Sequence, residues 1–299
     1  MTAFAAAVPA FSAAAAPSTV AFAQDDMGND WRRAQVAEVR DYLADHSGIE
    51  LKVTNARGDA SLQALHIERL ARRGADVLIT SPANGALLDP VIRQVYQNGT
   101  PVILLDRRIP GTDFTTFVHP DNRQITKRLA RFMLDRLGRE GRIFMLEGVP
   151  EATPTQLRTD AFLAEARKYP AVSVVSRVGN YLRGDAIRAV EAILRKEDGF
   201  PFDAIYAQSD SMAVGARMAL RRAGIDPGSL LIAGIDYIQA AQEAIREGEQ
   251  AVSYTYPTGG RKGAELALRL LRGEPVPKEV VLESVEVTAA NVDAVDPIF

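Results

Sequence analysis

From residue 19 onward, short apolar runs alternate with stretches whose apolar positions recur every three to four residues. The runs at 19–24, 50–54, 76–81 and 101–105 predict strands; the periodic stretches at 29–45, 61–73 and 86–98 predict helices. After a connector at 110–122 the alternation resumes. Helices are predicted over 125–137, 155–169, 183–196, 211–223, 238–247 and 259–272. Strands are predicted over 142–147, 172–178, 203–208, 230–235 and 250–255, with an extended tail at 279–287. Strands separated by helical segments of roughly 10–15 residues imply βαβ units and a parallel sheet. The fold class is therefore α/β, with two doubly wound arrays in succession and one extra strand-helix-strand at the end of the second. Gly74 and Gly99 fall just past helical stretches, where a left-handed residue ends a helix cheaply.

Chemistry collects just past the last apolar residue of each strand. In open α/β sheets the crevice outside those carboxyl ends is where ligands bind. The clearest case is Val102-Ile103-Leu104-Leu105, an unbroken apolar run that stops at Asp106-Arg107. Other tips present Gln24 with Trp31-Arg32 following, Ser81, and Glu147 leading on to Arg158. Tyr181, Ser209, Asp236 and Thr255 complete the set. A hydroxyl donates once and accepts twice, so carboxylates, amides and guanidinium groups can saturate it. Charge-assisted bonds are the strong ones, and a polar group left unpaired in a closed cleft costs about 1–3 kcal/mol. These residues suit a polyhydroxylated guest, with Trp31 and Tyr181 offering flat faces to its C–H surface. None is an activated nucleophile, so the expectation is binding without chemistry.

Plainer readings stand beside these. Ser209 and Asp210 are explained as well by helix capping, and Trp31 by anchoring its helix in the core. Arg158 reads from pattern alone as a solvated helix residue, and Asp106 with Arg107 as a structural ion pair.

Composition narrows the field. The chain has 299 residues, 47% hydrophobic and 24% charged, enough for two lobes of ordinary size. A net charge of −3 argues against a nucleic-acid partner. Cysteine is absent, which removes disulfides, thiolate chemistry and zinc–thiolate sites. His46, His66 and His119 are scattered, without a triad or metal-ligand spacing; no Gly-x-Gly-x-x-Gly or Walker lysine motif is present. No cofactor or metal is expected. Residues 1–17 form an Ala-rich, uncharged leader that ends in small residues; this favours the remnant of an export signal over a leader with no role. No apolar stretch reaches the roughly 18 residues of a membrane span.

The chain resembles the type I periplasmic binding proteins for sugars over about residues 20–287, most closely the galactofuranose/galactose and ribose binders. The likeness is carried by Val20-Ala-Phe-Ala-Gln24 with Trp31-Arg32, Leu104-Leu105-Asp106-Arg107, Asp121-Asn122, Tyr206 to Ala216, and Gly234-Ile235-Asp236. It implies two lobes joined by a three-crossing hinge that closes over a sugar. The first lobe would comprise 18–122 and 253–281, the second 123–252 and 282–299. It also implies Asp106, Arg107, Arg158 and Asp236 as hydroxyl ligands and Trp31 with Tyr181 as ring walls. The departures are Ser209 and Ser81, where ribose binders carry Asn, and Tyr254-Thr255-Tyr256, which adds two aromatics near the cleft.

The function expected from these residues is a monomeric periplasmic solute receptor that passes a sugar or polyol to the membrane subunits of an ABC importer. The same core could serve as a sensor signalling to a membrane histidine kinase. The effector core of a LacI-type repressor is disfavoured, because no Lys or Arg precedes Arg32.

Overall fold

The computed structural model describes residues 16–196 and 199–299; residues 1–15, most of the Ala-rich leader, lie outside the described residues. The chain opens with β1 (Ser18–Gln24), α1 (Asp30–Ala44), β2 (Ile49–Asn55), α2 (Ala60–Arg72), β3 (Val77–Thr80), α3 (Gly85–Gln97), β4 (Val102–Leu105) and β5 (Thr116–Pro120). It continues with α4 (Asn122–Arg136), β6 (Gly141–Glu147), α5 (Thr153–Ala166), β7 (Val172–Val178), α6 (Arg183–Leu194) and β8 (Ala204–Ala207). Then come α7 (Asp210–Arg222), β9 (Leu231–Ala233), α8 (Gln239–Arg246), β10 (Val252–Tyr254), α9 (Gly260–Leu271), β11 (Glu279–Leu282) and β12 (Glu286–Thr288).

The strands form two six-stranded sheets, in the orders β11-β5-β4-β3-β1-β2 and β12-β10-β9-β8-β6-β7. Every pairing is parallel except β10 with β12. Because the connections wind in both directions, helices cover both faces of each sheet. Central strands such as β3 and β4 are therefore buried throughout, as their unbroken apolar sequences require. In the first lobe one core layer lies against α2 and α3 and the other against α1 and α9. In the second lobe, α4 and α5 cover one face and α6 and α7 the other.

Polar residues that end strands also start helices. Asn29, Asp59, Asn84, Asp121 and Ser209 each cap the following helix by accepting from a backbone N–H. Gly74 and Gly99 sit at φ +79° and +94° past α2 and α3. α9 returns from the second lobe to lie beside α1, and the approach is so close that a Cβ on Gly260 would come within 2.4 Å of the Gln35 carbonyl oxygen.

Sheet membership changes three times: between β5 and α4, between β10 and α9, and between β11 and β12. Three sequence readings are corrected by this arrangement. The connector at 110–122 contains β5, whose five residues end in proline and follow a Gly- and Pro-containing stretch that masks the strand. The tail at 279–287 is two strands in different sheets, β11 and β12. β10 pairs in the second sheet, so the second change of lobe falls after Tyr254 rather than at 253.

Candidate functional site

Where the two sets of strand tips face each other they enclose a cavity with about 390 Å³ of empty space, counting its open side. Trp31, Arg32, Asp106 and Arg107 line it from the first lobe. Arg158, Tyr181, Ser209 and Asp236 line it from the second, so eight residues singled out from sequence converge. Asn29, Pro154, Ser211 and Tyr256 complete the lining.

The first-lobe wall is a compact ionic network. Arg32 reaches Asp25 at 3.2 Å and Asp106 at 3.0 Å, and Arg107 reaches Asp25 at 2.7 Å. Asp25 thus orients both guanidinium groups from behind. The direct Arg107–Asp106 contact is loose, 3.9 Å, so the two are not primarily each other's partners. Buried ion pairs add little net stability, but they fix donors and acceptors in place.

The second-lobe wall is built around Arg158, which is buried, not solvated. Its Nε donates to Asn122 Oδ1 at 2.8 Å and its Nη1 donates to the Gln208 carbonyl. Its guanidinium lies 4.4 Å over the Tyr256 ring and 5.8 Å over the Tyr181 ring. Burial lowers its pKa, but the surrounding tyrosines and Asp236 outweigh that and raise it, so the charge is permanent. Tyr181 is fixed by a 2.7 Å bond between its hydroxyl and Thr155 Oγ1. Its ring lies so close to Gly148 that a Cβ there would come within 1.9 Å.

Asp236 differs from Asp106, the other acid of the lining: among the described residues its carboxyl has no hydrogen-bond or ion-pair partner. Burial, with Asp210 and Asp106 nearby, pushes its carboxyl well above the usual range despite the pull of Arg158 and Arg32. That environment disfavours charge unless hydroxyl donors arrive. Behind it, Asp210 accepts from Tyr237 N at 2.7 Å, Gln250 Nε2 at 2.7 Å and Ser253 Oγ at 2.5 Å, and burial pushes its own pKa up to about 6. Asp106, Tyr181 and Asp236 also hold φ at +63°, +61° and +120°. Left-handed backbone at non-glycine residues costs of order 1–3 kcal/mol each, and three of the seven such residues described line the cavity.

Three sequence-singled residues stay out of the lining. Gln24 is buried and donates to Gln35 Oε1 at 2.9 Å while accepting from Asp25 N, which steadies the Asp25 turn. Ser81 is buried with its hydroxyl unpartnered, and its carbonyl accepts from Gln63. Thr255 Oγ1 accepts from Val285 N at 2.8 Å and braces two crossings together. Ser209 lines the cavity and also caps α7. Tyr254 turns away to Glu286. His119 sits on β5, stacks on Phe117 and bonds Glu279 at 2.8 Å, away from the cavity. Asp25, Asn122 and Tyr256 carry much of the geometry. Asp25 directly follows the first predicted strand, whereas Asn122 and Tyr256 entered the sequence reading only with the family resemblance, Tyr256 as one of two aromatics near the cleft.

Two lobes, strand tips that converge on a polar cavity and bound charges without a nucleophile define a ligand-binding class. Among the described residues, no helix is long and apolar enough to cross a membrane. The chain belongs to the periplasmic binding protein domain family, whose model matches residues 20–275. It is 28% identical over 260 residues to the xylitol-binding protein of Mycolicibacterium smegmatis, spanning 86% of this chain and 73% of that one. It is 27% identical over 236 residues to the ribose import binding protein of Bacillus subtilis, spanning 78% and 75%. The fructose-binding periplasmic domain of a hybrid two-component system superposes with a TM-score of 0.85 at 28% identity, covering 93% of this chain and 92% of that domain. The α/β fold with two parallel-dominated lobes is thus the type I periplasmic binding protein fold.

Proposed function

We propose that this protein is a periplasmic solute receptor that captures an uncharged sugar or polyol between its lobes and delivers it to an ABC importer. The observation that carries this reading is the pairing of Asp106 and Asp236, one acid from each lobe, across a single cavity. Only a ligand that touches both lobes favours closure over opening, by its differential affinity for the two states. Charge balance supports an uncharged guest. Arg32, Arg107 and Arg158 face Asp25, Asp106 and Asp236, so with Asp236 ionised the fixed charges cancel. Asp106, Arg107, Arg158 and Asp236 serve as hydroxyl ligands, and Trp31 and Tyr181 as walls. The cleft performs no reaction on its guest. The name of the Bacillus relative favours import, and the compounds in both relatives' names are polyols or sugars.

A thermal-shift panel of pentoses, hexoses, furanoses and polyols tests this, because a ligand that binds only the folded state raises the melting temperature with concentration. Asp106→Ala and Asp236→Ala are each expected to remove the response while the far-ultraviolet circular dichroism is retained. Normal binding by both variants would disprove the assignment. A sensor role is the second reading, favoured by the likeness to the hybrid two-component domain. Stimulation of a reconstituted importer's ATPase by the liganded protein supports the first reading; phosphorylation of a membrane kinase supports the second.

A further inference from the structure

Tyr256 lies two residues past β10, on a stretch of chain that passes between the lobes. It stands on the crossing between β10 and α9 and is only 2% exposed, yet it lines the cavity. Its hydroxyl donates to Asp106 Oδ1 at 2.7 Å and accepts from Asn122 Nδ2 at 2.9 Å. Its ring lies under the Arg158 guanidinium and 5.7 Å from Trp31, and Trp31 Nε1 donates to its carbonyl at 2.9 Å. The phenol is thus held on every side, and burial beside Asp106 keeps it protonated. Asp106, the first-lobe acceptor best placed for a guest, already receives a hydroxyl, and that hydroxyl belongs to the protein.

We propose, on the reading given above, that Tyr256 determines specificity by size: its phenol occupies the space and the Asp106 acceptor site that part of a larger sugar would take. The cavity then selects tetritols, pentitols and pentoses and excludes hexopyranoses. The position on a crossing matters as well. A residue carried by a lobe would move away from half of the site on opening, whereas one on the hinge presents the same limit to a guest throughout closure.

The test measures affinities of wild type, Tyr256→Phe, Tyr256→Leu and Tyr256→Ala for erythritol, xylitol, D-ribose and D-galactose. Thermal shift and the fluorescence of Trp31, the only tryptophan, supply the readouts. Wild type is expected to bind its best four- or five-carbon ligand at least tenfold more tightly than galactose. The Leu and Ala variants are expected to erase or reverse that preference. Tyr256→Phe keeps the ring but vacates the Asp106 acceptor site, so it should narrow the size preference to within about threefold without erasing it. If Leu and Ala fail to fold, Phe still decides: wild-type affinities throughout in that variant overturn the proposal. Retained preference for small ligands in a folded Ala variant overturns it too, as does wild type binding galactose as tightly as ribose or xylitol. Those results leave the receptor reading intact. A wild type that responds to no sugar or polyol overturns both.

Discussion

Asp236 holds an unpartnered carboxyl in a buried wall, and this has a consequence for pH. Its pKa is raised in the folded protein, so the folded state holds the proton at pH values where the unfolded chain has lost it. The folded state therefore binds more protons, and this residue's contribution to stability falls as pH rises from the ordinary carboxylate range through the raised value. Asp210 acts in the same direction between 3.8 and about 6. We expect Asp236→Asn to melt close to wild type at pH 4. The variant should gain progressively toward pH 7.5, reaching a few degrees at about 2–4 °C per kcal/mol. A gap that is constant with pH would show that the side chain is not desolvated as described. Ligand should act oppositely. Hydroxyls that donate to Asp236 favour its ionised form, so binding is expected to release protons when measured calorimetrically in buffers of different ionisation enthalpy.

At the scale of elements, short turns do the positioning. β6 is followed by Gly148, which leaves room for the Tyr181 ring delivered by the turn after β7. Gly148→Ala places a methyl group inside that ring, and because φ is not positive at this residue the backbone itself tolerates alanine. The ring must move, so ligand affinity should fall at least tenfold with only a modest loss of melting temperature. An unchanged affinity would remove Tyr181 from the wall. Gly234 is stricter: a Cβ would come within 1.9 Å of Asp210 Oδ1, part of a buried carboxylate that accepts from Gln250 on that oxygen and from Tyr237 N and Ser253 Oγ on the other. Gly234→Ala is expected to destabilise the second lobe by about 2–4 kcal/mol, as overpacking and a broken buried network do, read as a lower urea midpoint. Strand tips and helix caps were legible in the sequence because apolar runs that stop at Asp, Asn or Ser obey local rules, so Asp106, Ser209 and Asp236 could be read directly. Arg158 could not, since a helical arginine shows its burial only through the Asn122 and Gln208 it meets across the lobe. β5 was hidden because its pairing with β4 and β11 is non-local and its own five residues carry little alternation.

At the scale of the whole molecule, the lobes touch across the cleft. Asp30 on α1 pairs with Arg183 at the start of α6, and Arg108 N donates to Thr153 Oγ1 at 3.1 Å. Arg183 is 46% and Asp30 30% exposed, so this ion pair is a weak latch, worth at most about 1 kcal/mol. Arg183→Ala should raise the ligand dissociation constant no more than about fivefold and should make the ligand-free protein scatter as a slightly larger particle, with the difference shrinking in high salt. A loss of binding altogether would mean that Arg183 contacts the guest.

The triple passage of the chain between sheets has one more consequence, for biosynthesis. The first lobe takes α9 and its edge strand β11 from residues 260–282, so it cannot be finished while those residues are still in the ribosome. A nascent chain that ends before residue 260 leaves the Leu105 side of that lobe without α9, which packs on it through Gly263. Such a chain should remain loose and digestible by protease until residues 260–282 emerge, a window in which it could be threaded through a narrow pore.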